Sequence, residues 1–283
     1  MSAVAVPGRP NASVIGKALA FVRRHTLTLY SVLFFLYLML PIAIVIAFSF
    51  NQPVGKFNFT WHKFTFDNWR YWNGVPNIQA AVVLSLEIAA LASLIATILG
   101  TLIALALVRY GFRGRSVTNI LIFLPLSTPE IVMGASLLTL FLNLNFVFGF
   151  TTILIAHITF CISFAVVSVR ARLVGFDRHL EEAAMDLGAN EWVTFKKVTL
   201  PLIAPAILAA LLLCFAVSID DFVVTYFNSG SDVTFPLFVW GAARVGAPPQ
   251  VNVIGSAIFL IAVTAMLINV FVQTRRTKGA LSG

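Results

Sequence analysis

Charge is scarce in this chain: only 11% of its 283 residues are Asp, Glu, Lys or Arg, while 59% are hydrophobic. Soluble globular proteins carry about a quarter charged residues, so the deficit excludes an ordinary soluble domain and points to an integral membrane protein. Cysteine is nearly absent. Cys161 and Cys214 both fall inside apolar stretches and make no CxxC pair, which excludes a disulfide framework. No Gly-rich loop ends in Gly-Lys-Ser/Thr, so nothing here cradles nucleotide phosphates in the usual way. His62 and His157 form no ligand-spaced cluster, which argues against a metal site, and there is no nucleophile elbow or recognisable catalytic triad. No small-residue cleavage site follows the first apolar run, which starts near Leu27, so an uncleaved helix and a retained N-terminus are expected. An internal repeat is missing too.

What is present is a series of long apolar runs. A bilayer core needs about 20 apolar residues in helix. Stretches at 28–50, 80–108, 118–142, 151–169, 201–221 and 251–272 qualify, which predicts six transmembrane helices and an all-α fold. Lys and Arg are retained on the cytoplasmic side. Fifteen of the nineteen lie on one side: Arg9, Lys17, Arg23, Arg24, Arg109, Arg113, Arg115, Arg170, Arg172, Arg178, Lys196, Lys197, Arg275, Arg276 and Lys278. Lys56, Lys63, Arg70 and Arg244 lie on the other, so both termini are expected in the cytoplasm. The net charge of +8 is thereby a topology signal, and nucleic acid is not needed to explain it. Segment 1–27 is then a cytoplasmic lead, 28–272 the membrane domain and 273–283 a cytoplasmic tail. In the first outer loop, Trp61, Trp69, Tyr71 and Trp72 suit the headgroup level, or a surface for an external partner. Asn11-Ala12-Ser13 matches a glycosylation triplet, but on the cytoplasmic side the match is accidental.

Between the fourth and fifth runs, 170–200 is polar yet patterned. Leu180, Ala183, Ala184 and Leu187 mark one helix face, and Glu181, Glu182 and Asp186 mark the other. Gly188 is a natural helix stop. Asn190 is a plausible cap for a second short helix, and Pro201 and Pro205 fit the first turns of the next span. The run Glu182-Ala183-Ala184, three residues, Gly188, nine residues, Val198-Thr199-Leu200-Pro201 resembles the EAA loop of ABC importer permeases, with Val198 for the family's Ile as the one departure. That resemblance implies that the loop inserts as coupling helices into a groove on an ATP-hydrolysing subunit. Glu182 would make polar contact there, and Ala183, Ala184 and Gly188 would allow close approach. It also implies that ATP and its Mg are bound by that partner, that this chain carries no cofactor and no catalytic residue, and that a second permease subunit and an extracytoplasmic solute-binding protein complete the assembly. The competing reading of the loop is a solvated amphipathic connector.

Four acids lie within the apolar stretches: Glu87, Glu130, Asp220 and Asp221. Each costs about 2.5–3.5 kcal/mol on insertion scales and so calls for a reason. No Lys or Arg sits well inside any span, so an internal ion pair looks unavailable, and the excess negative charge favours a cationic solute or a proton. Each acid also has a plainer reading, as a protonated carboxyl bonded to a neighbouring helix or, for Asp220 and Asp221, as a group already at the outer interface. Glu130 follows Pro129 and Pro125, and broken helices are tolerated where they line a cavity. If helical, adjacent Asp220 and Asp221 point about 100° apart, so one would line a path while its neighbour bonds a helix end.

Ser218-Ile219-Asp220-Asp221-Phe222-Val223 resembles a stretch of spermidine/putrescine permeases of the second-subunit type, as do Pro129-Glu130-Ile131-Val132-Met133-Gly134 and Ser136-Leu137-Leu138. A polyamine is a flexible polycation with methylene spacers, suited to carboxylates and aromatic faces together. Phe222, Tyr226 and Trp240 are candidate faces, though ordinary lipid packing is their alternative. Three rivals stand beside this reading: an ion-coupled carrier using Glu130 and Asp221, a non-transport membrane scaffold, and an ABC permease for another solute such as ferric iron, thiamine or an organic anion.

Overall fold

The computed structural model describes residues 14–281; Arg9 and the Asn11-Ala12-Ser13 triplet lie outside them. Two compact units are present, one formed by the chain up to Gly74 and from Gly246 onward, the other by Val75–Val245. Both are helical. Among the described residues the only strand-like pairing is an isolated bridge, Asn51 with Phe64.

The Val75–Val245 unit is built on three long helices, α3 (Ile78–Arg109), α6 (Phe150–Val174) and α9 (Leu200–Asp220), and the shorter α4 (Arg115–Ser127) packs on α6. They pack closely because α3 buries a stripe of small residues, Ala89, Ala92, Ser93, Ala96, Thr97, Gly100, Thr101 and Ala104. Small residues at helical spacing let backbones approach where lipid removes the hydrophobic drive for association. A Cβ at Gly100 would sit 2.5 Å from the Ala165 Cβ on α6. Gly100→Val is therefore expected to destabilise the unit by about 1–3 kcal/mol through overpacking, read as a lower unfolding midpoint in detergent. An unchanged midpoint would mean that α3 and α6 are not in this contact. The two cysteines stitch α6 to α9 as free thiols: Cys161 Sγ donates to the Cys214 carbonyl at 3.6 Å and Cys214 Sγ to the Cys161 carbonyl at 3.3 Å.

The expected third span, 118–142, is not one helix. The chain runs as α4 and α5 (Glu130–Asn143), bent by 113° at Thr128-Pro129. Thr128 is driven to an extended ψ of 134°, as residues before proline are, whereas Pro125 stays within α4. Glu130 thus opens a helix instead of lying mid-span. The segment after α6 folds into α7 (His179–Asp186), α8 (Glu191–Thr194) and a π-helical turn at Phe195–Thr199 leading into α9; beyond it come α10 (Val223–Asn228) and α11 (Phe235–Val245).

In the other unit α1 (Val14–Ser49) packs on α12 (Pro249–Leu281), and α2 (Asp67–Arg70) lies in the loop after α1. Helix continues beyond the expected apolar limits at both 28 and 272. The loop after α1 is pinned by asparagines: Asn51 Nδ2 donates to Asn58 Oδ1 (2.6 Å) and to the Thr60 carbonyl (2.8 Å), and Asn68 Nδ2 donates to the carbonyls of Ser49 and Asn51. Trp69 donates to the Ser49 hydroxyl, while Trp61 and Tyr71 are left half exposed.

By length and apolarity, four helices among the described residues can cross a bilayer: His25–Ser49, Ile78–Arg109, Phe150–Val174 and Glu191–Asp220. The bent α4–α5 pair, a broken span or a re-entrant loop, brings the number to five if it counts as one span, and α12 carries a shorter apolar stretch, Pro249–Thr264. The count of six is therefore approximate.

Candidate functional site

Two breaks in the helical chain meet at one cleft. Thr128 and Glu130 come from the α4–α5 bend, Asp220, Asp221 and Phe222 from the interruption between α9 and α10, and Phe160 and Phe164 from α6. The space they enclose with Met133 and Val217 is about 330 Å³. Broken helices line substrate sites in transporters because their freed backbone groups must face protein or water. Neither Glu130 nor Asp220 has an ion-pair partner among the described residues. Two unpaired carboxylates facing aromatic and methylene surface can hold a cation that has apolar spacers.

Asp221 differs. Asp220 ends α9, and Asp221 is extended (φ −62°, ψ 123°), so the helical 100° argument does not govern the pair. The Asp221 carboxylate accepts from the backbone N–H groups of Thr225 (2.8 Å) and Val224 (3.4 Å) at the start of α10, and from the Thr225 hydroxyl (2.8 Å). His157 Nε2 lies 3.4 Å away. Asp221 thus has an internal ionisable partner, a histidine and not a Lys or Arg. His157 is 1% exposed, with Nε2 2.9 Å from Thr225 Oγ1 and Nδ1 2.7 Å from Ser218 Oγ. One ordering satisfies every group: Ser218 donates to Nδ1, Nε2 donates to Thr225, and Thr225 donates to Asp221. Ser, His and Asp therefore do meet in space. Ser218 is only 4% exposed and both ring nitrogens are engaged, so the cluster clamps α6, α9 and α10 together and offers no accessible nucleophile.

The remaining sequence candidates are dispersed. Glu87 is exposed on α3 and does not line the cleft. Tyr226 is 58% exposed on α10, its ring 5.7 Å from Phe222, and it too stands outside the cleft. Trp240 packs on Phe222 at 5.2 Å, but the Arg244 guanidinium lies 4.5 Å from its ring centre, so that cation-binding face is occupied. Sequence reasoning missed His157, Phe160 and Phe164 as a set. Their i, i+3, i+7 spacing on α6 was the available signal.

The loop between α6 and α9 keeps its expected helix ends. Gly188, at φ +88°, closes α7 by donating to the Met185 carbonyl while Ala189 donates to Ala184, the paired bonds of a Schellman stop. Asn190 Oδ1 accepts from the Val193 N–H at the start of α8. Neither face of the pattern is buried as a whole, and of its three acids only Glu181 turns inward. Leu180, Ala183, Leu187 and Trp192 are exposed, Leu187 by 89%, whereas Glu181 is buried. Glu182 points outward, 62% exposed and 3.1 Å from His179 Nδ1. The result is an exposed apolar ridge beside an acidic group.

Residues 96–277 match the family described as the inner membrane component of binding-protein-dependent transport systems. This chain belongs to that family. It is a multi-pass membrane permease subunit with an all-helical fold, and not itself an enzyme. It is 38% identical over 244 residues to the spermidine/putrescine transport system permease protein PotC of Escherichia coli K12, a match covering 86% of this chain and 92% of that one. The putrescine transport system permease protein PotI of the same organism is 39% identical over 236 residues, covering 79% and 82%. Among solved structures, a bacterial ABC transporter involved in the import of the acidic polysaccharide alginate shares the fold, with a TM-score of 0.64 over 94% of this chain and 99% of that one at 18% identity. A permease of this family thus carries the acidic cleft at its broken helices and the exposed ridge on its loop.

Proposed function

We propose that this chain is one permease subunit of an ATP-driven, binding-protein-dependent importer of polyamines. The observation that carries the substrate reading is the cleft where Glu130 and Asp220 stand unpaired among Phe160, Phe164 and Phe222. A polyamine presents ammonium groups separated by methylenes, which match carboxylates and aromatic walls at the same time. The names borne by the permeases from Escherichia coli support the same substrate class. The ridge of Ala183, Leu187 and Trp192 beside Glu182 and Gly188 is the docking surface for an ATPase subunit, which binds ATP and Mg. A second permease subunit and an extracytoplasmic binding protein complete the machine. Both termini face the cytoplasm, with 28–272 forming the membrane domain and 170–200 its coupling loop.

The test is purification from the native membrane in mild detergent, mass spectrometry of co-purifying chains, and ATP hydrolysis by the reconstituted assembly with and without spermidine or putrescine and the binding protein. An ATPase, a second permease and polyamine-stimulated hydrolysis are expected. An ATPase indifferent to polyamines would discard the substrate; no ATPase would discard the coupling role in favour of an ion-driven carrier.

A further inference from the structure

Next to the motif glutamate stands another that points the opposite way. Glu181 is buried to 9% exposure in the first turn of α7, and its Oε1 accepts from two residues far along the chain. One is the Arg109 guanidinium, on the last residue of α3; the other is the hydroxyl of Thr199, which closes the π-helical turn before α9. Arg178, just before α7, donates to the Val108 carbonyl at 3.1 Å and so ties the same junction to the end of α3. A single carboxylate therefore joins the cytoplasmic loop to the ends of two of the three helices that form the core of this unit. The charges also suit their positions, an acid at a helix start and a cation at a helix end.

We infer that Glu181 is the positioning residue that transmits movement of the loop to α3 and α9, while Glu182 and the exposed ridge only receive the partner. This rests on the reading of the loop as an ATPase-docking surface. The π turn at Phe195–Thr199 is the alternative path from loop to α9, and an i→i+5 turn is a known place for a helix to yield. A push on α7 carried by that turn alone would be absorbed there. The Glu181–Thr199 bond bypasses it, and the Arg109 pair recruits α3 to the same motion.

The experiment measures solute imported per ATP hydrolysed in proteoliposomes containing the whole importer. R109E and E181R should each lower that ratio by about tenfold, because breaking a buried pair leaves an uncompensated charge that pushes the loop off its seat. The ATPase subunit should still co-purify. The double variant R109E/E181R, with the pair restored in reverse, should recover most of the ratio. The milder Thr199→Val keeps the ion pair and removes one bond, so a folded protein with a smaller loss, about threefold, is expected. Unchanged stoichiometry in T199V and in either charge variant would overturn the inference. So would loss of the ATPase from E181R and the double variant alike, which would make Glu181 part of the docking surface or of the fold. If no ATPase accompanies the unaltered chain, the underlying reading itself fails.

Discussion

Glu182→Lys and Gly188→Asp are each expected to abolish polyamine uptake, by at least about a hundredfold if the loop is a binding hot spot, while the chain stays in the membrane at its normal abundance. The two act by different means. Gly188 holds φ at +88° to close α7, a conformation that costs other residues about 1–2 kcal/mol, and an aspartate there also places charge and bulk on the turn beside the ridge. Glu182 is 62% exposed and among the described residues bonds only its neighbour His179, so reversing its charge changes the surface and leaves the fold intact. Uptake of radiolabelled putrescine into membrane vesicles, with immunoblots for abundance, checks both. Normal uptake in either variant would remove the loop from the coupling path.

The acids of the cleft should separate into two classes. Glu130→Gln and Asp220→Asn each remove one carboxylate that lacks an internal partner. The lost interaction with an ammonium is worth about 1.5–3 kcal/mol, which predicts about a ten- to hundredfold fall in uptake with little change in stability. Asp221→Ala should behave otherwise. It takes the acceptor from the backbone amides of Val224 and Thr225 and leaves His157 without its acid. Unfolding in detergent should then ease by about 1–3 kcal/mol, the cost of leaving buried donors unsatisfied, and uptake should fall with the amount of folded protein. Equal loss of stability in all three variants would make the cleft a packing feature only. Wild-type transport in Glu130→Gln and Asp220→Asn would exclude a cation path through it.

These contrasts mark how far a linear reading reaches. Apolar runs locate membrane helices because the bilayer imposes a length and forbids unpaired backbone, and the stops at Gly188 and Asn190 are legible because their cause is local. Proline was only half legible. Pro125 and Pro129 look alike in sequence, yet only the second accompanies the 113° bend, since a proline inside the last turn of a helix and one at the start of the next disturb different sets of hydrogen bonds.

Periodicity says which residues share a face, but not which face turns inward. In 180–187 the spacing groups Glu181 with Glu182 and Asp186, yet only Glu181 is buried. The Arg109 side chain, 72 residues earlier in the chain, meets Glu181 and turns that acid inward, leaving Leu187 in the open. The same holds for His157, whose partners Ser218 and Thr225 lie 61 and 68 residues away. The sequence by itself determined the class of protein, most of its membrane segments, the charge bias of its loops and the motif that starts at Glu182, because each follows from composition, length or contiguous spacing. Only the tertiary structure decided which acids are free to meet a solute and which are spent holding helices together, because a carboxylate's role depends on the donors that surround it in space.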